Sequence, residues 1–134
     1  MAGKIDGEVD DVFSAAREFV IRLNEDSKLG AVVQGWCRIL IFHLKTSADS
    51  NDAVYIRAGP KNLNIVDELP SHAQTVEITA RPGDLISICR GSISLSEALS
   101  DGRVEIVRGS LPDLLRMKAI LDRLETVLSV ETEL

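Results

Sequence analysis

Thr75-Val-Glu-Ile-Thr-Ala-Arg-Pro-Gly-Asp-Leu-Ile-Ser-Ile-Cys-Arg-Gly91, followed by Ser92-Ile-Ser-Leu-Ser-Glu-Ala-Leu-Ser-Asp-Gly102 and Arg103-Val-Glu-Ile-Val-Arg-Gly109, sets two strands and two short helices between glycines. Val76, Ile78 and Ala80 alternate with Thr75, Glu77, Thr79 and Arg81, the period-two pattern of a strand with one wet face. Pro82 ends that strand and suits the first turn of a helix, because its φ is already helical and it has no N–H to leave unpaired. Asp84 adds a negative charge where the helix dipole favours one, and Gly91 closes the helix. Ser94 and Glu97 have capping-box spacing for a second short helix, which Gly102 ends as a left-handed C-cap. Val104 and Ile106 then alternate with Arg103 and Glu105 as another strand.

Upstream, Val9, Val12, Phe13, Ala16, Phe19, Val20 and Leu23 fall within about 120° of a helical wheel, predicting an amphipathic helix over 8–24. Asp6 is its expected cap. A short helical piece is expected through 28–34, ended by Gly35. In the run from Trp36 to Lys45, Trp36, Leu40, Phe42 and Leu44 point one way and Cys37, Ile39 and Ile41 the other. That run is too apolar for a surface strand and predicts a central one covered on both faces. A turn is expected at 47–52. Val54, Ile56 and Ala58 mark the next strand, Gly59-Pro60 a turn, Leu63 and Ile65 a further strand, and 67–73 a connection. After Gly109, Ser110 is a plausible N-cap for a closing helix. Leu114, Met117, Ile120, Leu121, Leu124, Val127 and Leu128 form its apolar arc of about 140°. This order fits an α+β domain with helices layered on one sheet. No repeat, low-complexity segment or linker divides the 134 residues, so one domain spanning 1–134 is expected.

The order of these signals resembles the sterol carrier protein 2 family of lipid-transfer domains. The second half of that domain runs strand, helix, Gly, helix with an internal Ala, Gly, strand, Gly, long terminal helix. The matching positions are Val76 to Thr79, Asp84-Leu85, Gly91, Ala98, Gly102, Val104 with Ile106, and Gly109. The resemblance implies a five-stranded, mostly antiparallel sheet covered by helices. It also implies an apolar tunnel between the two layers and a fatty acid, acyl-CoA or sterol-like ligand held without catalysis. A gap under the closing helix would be lined by Leu40, Phe42, Leu44, Val54, Ile56, Leu85, Ile88, Leu114, Met117 and Leu121. The same stripes would equally build a filled core, and periodicity does not separate the two. Arg38, Arg57 or Arg81 would meet a head group at the mouth. The terminal helix, tethered at one end, is the expected gate.

Composition narrows the competing classes. A net charge of −6 without any Lys/Arg block argues against nucleic-acid and anionic-membrane partners, whose affinity rests on clustered positive charge. With five aromatic residues, the core must be aliphatic. No apolar run approaches the roughly 20 residues of a membrane span, so stable membrane insertion is not expected. There is no apolar leader segment, and the final Glu-Thr-Glu-Leu134 is not a Ser-Lys-Leu peroxisomal address, so the cytoplasm is the expected compartment. Cys37 and Cys89 form no disulfide or zinc framework, and both read as small core hydrophobes. His43 and His72 lack ligand spacing, so no metal or other cofactor is expected. No Ser lies in Gly-x-Ser-x-Gly, which disfavours a small hydrolase or isomerase. The alternative to a carrier is a non-catalytic accessory module that presents an apolar surface to a protein partner. A homodimer through a sheet edge or helix face is compatible with the sequence, but no residue specifies it.

Overall fold

A computed structural model describes the backbone of residues 2–26, 28–46, 52–59 and 61–133, and the side chains of these from 10 to 123. The chain runs α1 (Ala2–Asn24), α2 (Leu29–Val33), β1 (Arg38–Leu44), β2 (Ala53–Ala58), β3 (Leu63–Val66), β4 (Thr75–Ala80), α3 (Pro82–Cys89), α4 (Leu95–Ser100), β5 (Val104–Arg108) and α5 (Leu111–Glu133). The strands form one mixed sheet of order β3-β2-β1-β4-β5. β1 pairs antiparallel with β2 and parallel with β4, and the β2/β3 and β4/β5 pairs are antiparallel. Because β4 lies beyond β1, the 67–74 connection must carry the chain past two strands. It rejoins the sheet where the Ile39 N–H donates to the Gln74 carbonyl at 2.9 Å.

The local signals act as read. Pro82 opens α3, the Ser94 hydroxyl accepts from the Glu97 N–H at 3.2 Å, and Gly102 takes φ +73° behind α4. The Asp113 N–H donates to Ser110 Oγ at 3.4 Å at the start of α5. Two expectations fail. α1 begins at Ala2, so Asp6 lies inside the helix instead of capping it. Cys37 is exposed, because it precedes β1, which starts only at Arg38. The expected turn over 47–52 falls almost wholly outside the described residues, as do the side chains of Val9, Leu124, Val127 and Leu128.

One core forms between the sheet and the helices. Leu40 and Phe42 on β1 sit between Ile56 and Val54 on β2 and Val76 and Ile78 on β4, and all six are fully buried. Val12, Phe19 and Leu23 from α1 close over them, each such side chain contributing about 1.5–3 kcal/mol of burial. Ile39 and Ile41, on the other pleat, lie outside that cluster yet are only 4% and 3% exposed, so β1 is covered on both faces. Asn24 ties α1 to β3: its side chain donates to the Leu63 carbonyl and accepts from the Leu63 N–H, both at 2.9 Å.

Candidate functional site

The expected lining residues come together, but as a closed wall. The pleat sets Leu40, Phe42 and Leu44 beside Val54 and Ile56. Leu85 and Ile88 of α3 and Met117 and Leu121 of α5 join them in the same core. These nine are at most 5% exposed, whereas Leu114 is half-buried. Leu114 packs at the chain reversal before α5, where a Cβ on Gly109 would stand 3.1 Å from its Cδ2 and 3.2 Å from Val76 Cγ1.

α5 covers part of this wall, beside α1, and it is not tethered at one end only. Along its described length it is held at its flanks by polar contacts. Trp36 Nε1–H donates to Asp113 Oδ1 at 2.8 Å, and Arg38 Nε–H donates to Oδ2 at 3.2 Å, with the guanidinium 5.8 Å from the Trp36 ring centre. One turn on, Arg116 donates to the carbonyls of Val32 at 2.9 Å and Gln34 at 3.3 Å, which locks α5 to α2. Further along, Asp122 accepts from the Leu95 N–H at 3.2 Å, and Arg123 forms an ion pair with Asp26. The sequence showed these groups only as a polar face. A buried indole N–H needs a partner, and that was the one available signal, but nothing in a linear pattern names a residue 77 positions away.

The anchors set a pH dependence. Burial alone would raise the Asp113 carboxyl, but hydrogen bonds from Trp36 and Arg38 outweigh it and hold the group below its ordinary value. Arg123 does the same for Asp26 against a smaller opposing effect of burial. A carboxylate depressed in the folded state contributes stability above its unfolded pKa and loses it as pH falls through the folded value. Stability should therefore hold above about pH 5 and decline as pH falls below about 4, the ordinary carboxylate value, towards the lower pH at which the two folded anchors protonate. Thermal melts between pH 7 and pH 3 check this, and a midpoint that stays flat to pH 3 would exclude both anchors as contributors.

The three candidate head-group arginines separate. Arg38 is committed to Asp113. Arg57 faces away from the core, since its pleat partner across the ladder is Ile39 while Ile56 points inward. Arg81 lines two clefts. With Asp11, Lys45, Thr46, Pro82, Gly83, Asp84 and Ile86 it forms one of ≈ 670 Å³ at the β1 and β4 ends. With Lys45, Thr79, Asp84, Gly102, Arg103 and Glu105 it lines a neighbouring one of ≈ 250 Å³. A third, of ≈ 550 Å³, lies between α1 and the β2–β3 edge around Phe13, Arg17 and Tyr55. None of the ten wall residues lines these three.

On the sheet face away from the helices, Glu77 accepts from Thr75 Oγ1 at 2.8 Å, sits 2.8 Å from His43 Nε2 and lies 3.5 Å from Arg108 Nε. His72 is an exposed loop residue with φ +62°. Cys89 is 2% exposed, and burial pushes its thiol up to about 12, which leaves it protonated and inert. Among the described residues, no group of three or more His, Cys, Asp or Glu is placed to hold a metal ion.

Solved structures share this arrangement of sheet and helices. A UbiJ-SCP2 ubiquinone synthesis protein superposes with TM-score 0.59 at 14% identity, over 86% of this chain and 91% of its own. Sterol carrier protein domain 2 of Helicoverpa armigera gives 0.58 at 16% identity, over 87% and 89%. The chain has the sterol carrier protein 2 fold. Palmitated SCP2L2 from Aedes aegypti gives 0.57 at 14% identity, over 80% and 90% of the two chains. No protein-family model and no curated protein sequence matches the chain. The sterol carrier protein 2 fold brings the helices to one side of a 3-2-1-4-5 sheet, so its aliphatic interior is capped by α5.

Proposed function

We propose that this chain is, over its whole length, one lipid-binding domain that carries an apolar ligand between sheet and helices without chemical turnover, in the cytoplasm. The observation that carries the reading is a sterol carrier protein 2 fold with an aliphatic interior whose cover is held by polar anchors along its rim. The ten wall residues are the proposed lining: Leu40, Phe42, Leu44, Val54 and Ile56 below, and Leu85, Ile88, Leu114, Met117 and Leu121 above.

Because that wall is closed, the ligand must displace α5. Magnitudes allow it. Burying about twelve methylenes contributes ~10 kcal/mol before ordering costs, against roughly 1 kcal/mol for each neutral and ~2 for each charged hydrogen bond released. Ile86 reaches from the core edge into the cleft that holds Lys45 and Arg81, so an acyl carboxylate or phosphate is proposed to rest there. Among the described residues, no helix is long and apolar enough to cross a membrane, which is compatible with a carrier that moves its ligand between surfaces.

Native mass spectrometry of freshly purified protein should show a co-purified lipid, and a fluorescent fatty acid should bind at micromolar concentration. Met117→Trp, which fills the space beneath α5, should weaken that binding about tenfold or more while unfolding stays cooperative. A bare chain that takes up no fluorescent fatty acid, or a Met117→Trp variant that binds unchanged, would reject the interior site.

A further inference from the structure

Four of the large exposed apolar side chains fall within ten residues: Ile106 at 45%, Val107 at 54%, Leu111 at 70% and Leu115 at 57%. They lie on two consecutive elements, β5 and the start of α5. Ile106 stands opposite the fully buried Ile78, so it shares the helix-facing pleat, but no strand lies beyond it. Leu111 and Leu115 are one helical turn apart, and Leu115 shares its row with Asp122 seven residues on. Asp122 is bonded to the start of α4, and α4 packs on β5, so this flank of α5 lies on the side of the fold that carries α4 and β5. The patch thus combines an unpaired strand edge with an apolar strip above it.

The β5 edge also lacks proline, lysine and any charge on its helix-facing pleat, three of the usual guards against pairing with another strand. It has a bulge, and the bulge has an unusual effect. Thr79 pairs with Glu105 and Glu77 with Arg108, while only Ile78 lies between Thr79 and Glu77. The extra residue, Val107, therefore brings Glu105 and Arg108 to the same face, although three positions separate them. Both are mostly exposed, with side chains 66% and 72% accessible.

We infer that β5 pairs antiparallel with β5 of a second copy of this chain, joining two sheets across a two-fold axis. In one register Glu105 of each copy lies opposite Arg108 of the other, and Ile106 lies opposite Val107. A shift of one residue either way sets Glu105 against Val107 or Gly109 and loses both matches. Opposite charges directly across a ladder stabilise it and like charges destabilise it, so this register is self-complementary under the isologous symmetry of a homodimer. Leu111 and Leu115 then meet the partner copy above the joined strands and leave water.

Sedimentation equilibrium of the full chain should show a species of twice the chain mass. Arg108→Glu or Glu105→Arg alone should each raise the dimer dissociation constant about tenfold or more. The double reversal Glu105→Arg with Arg108→Glu should restore it. Within one chain these residues lie 3.9 Å from Lys45 and 3.5 Å from Glu77, and both contacts are lost equally in the double variant. Urea unfolding and circular dichroism of each variant under monomeric conditions separate recovery across the two copies from recovery of the Glu105 and Arg108 neighbourhood within one chain, and a double variant that regains monomer stability but no dimer counts against the inference. A chain monomeric at all concentrations, a dimer indifferent to the single reversals, or a double variant that stays monomeric would each overturn the inference.

Discussion

Gly59→Ala should lower the stability of the chain by at least about 3 kcal/mol, the largest loss expected from removing or adding one carbon. Gly59 follows β2 with φ +97°, a conformation that side chains rarely adopt. Added at that position, a Cβ would stand 1.9 Å from the Trp36 carbonyl oxygen and 3.0 Å from its carbonyl carbon. Both obstacles are backbone, so no rotamer change relieves them. The backbone must move, and with it the Trp36 side chain that anchors α5 through Asp113. The left-handed conformation alone costs on the order of 1–3 kcal/mol for a residue with a Cβ, and the steric conflict adds to it. Gly102→Ala is the control: φ is +73° there, but nothing lies within 4 Å of the added Cβ. It should show the conformational penalty without the clash. Urea unfolding of the three proteins decides the matter, and a Gly59→Ala loss no greater than that of Gly102→Ala would remove the steric argument.

Asp113→Ala should cost about 2 kcal/mol and at the same time speed ligand entry. Asp113 satisfies the indole N–H of Trp36, which is 6% exposed, and neutralises Arg38. Removing the carboxylate strands a nearly buried donor, a penalty of roughly 1–3 kcal/mol. Asp113→Asn keeps an acceptor for Trp36 but loses the charge facing Arg38, so it should fall between the parent and the alanine variant. If α5 is the moving cover, the same ordering should appear in stopped-flow uptake of a fluorescent fatty acid. Alanine is expected to accelerate it about tenfold, the kinetic equivalent of ~1.4 kcal/mol lost from the closed state. A destabilised variant with unchanged uptake would show that entry does not pass through the Trp36 end of α5.

The clarity of the sequence depended on how local each cause was. Pro82, Ser94 and Gly102 announced their helix ends because a fixed φ, a hydroxyl three residues from its donor and a missing Cβ act within one turn. The alternation from Arg38 to Leu44 revealed a strand buried on both faces. Cys37 was misjudged because alternation does not say where a strand starts. Asp6 was misjudged because a good cap residue is also tolerated inside a helix when the chain before it continues the turn. Arg38 was one of three arginines offered for a head group, and it meets Asp113. An arginine carries no mark of which carboxylate it will face across 75 positions.

By itself, then, the sequence determined the ten elements in their order and the aliphatic character of the interior, since periodicity records which face of each element avoids water. Tertiary structure alone decided that β4 runs parallel beside β1, that Gly59 carries the Trp36 carbonyl against its Cα, and that Asp26 and Asp113 hold α5 in place. Those features arise from groups brought together by folding, and distance along the chain leaves no periodic trace of distance in space.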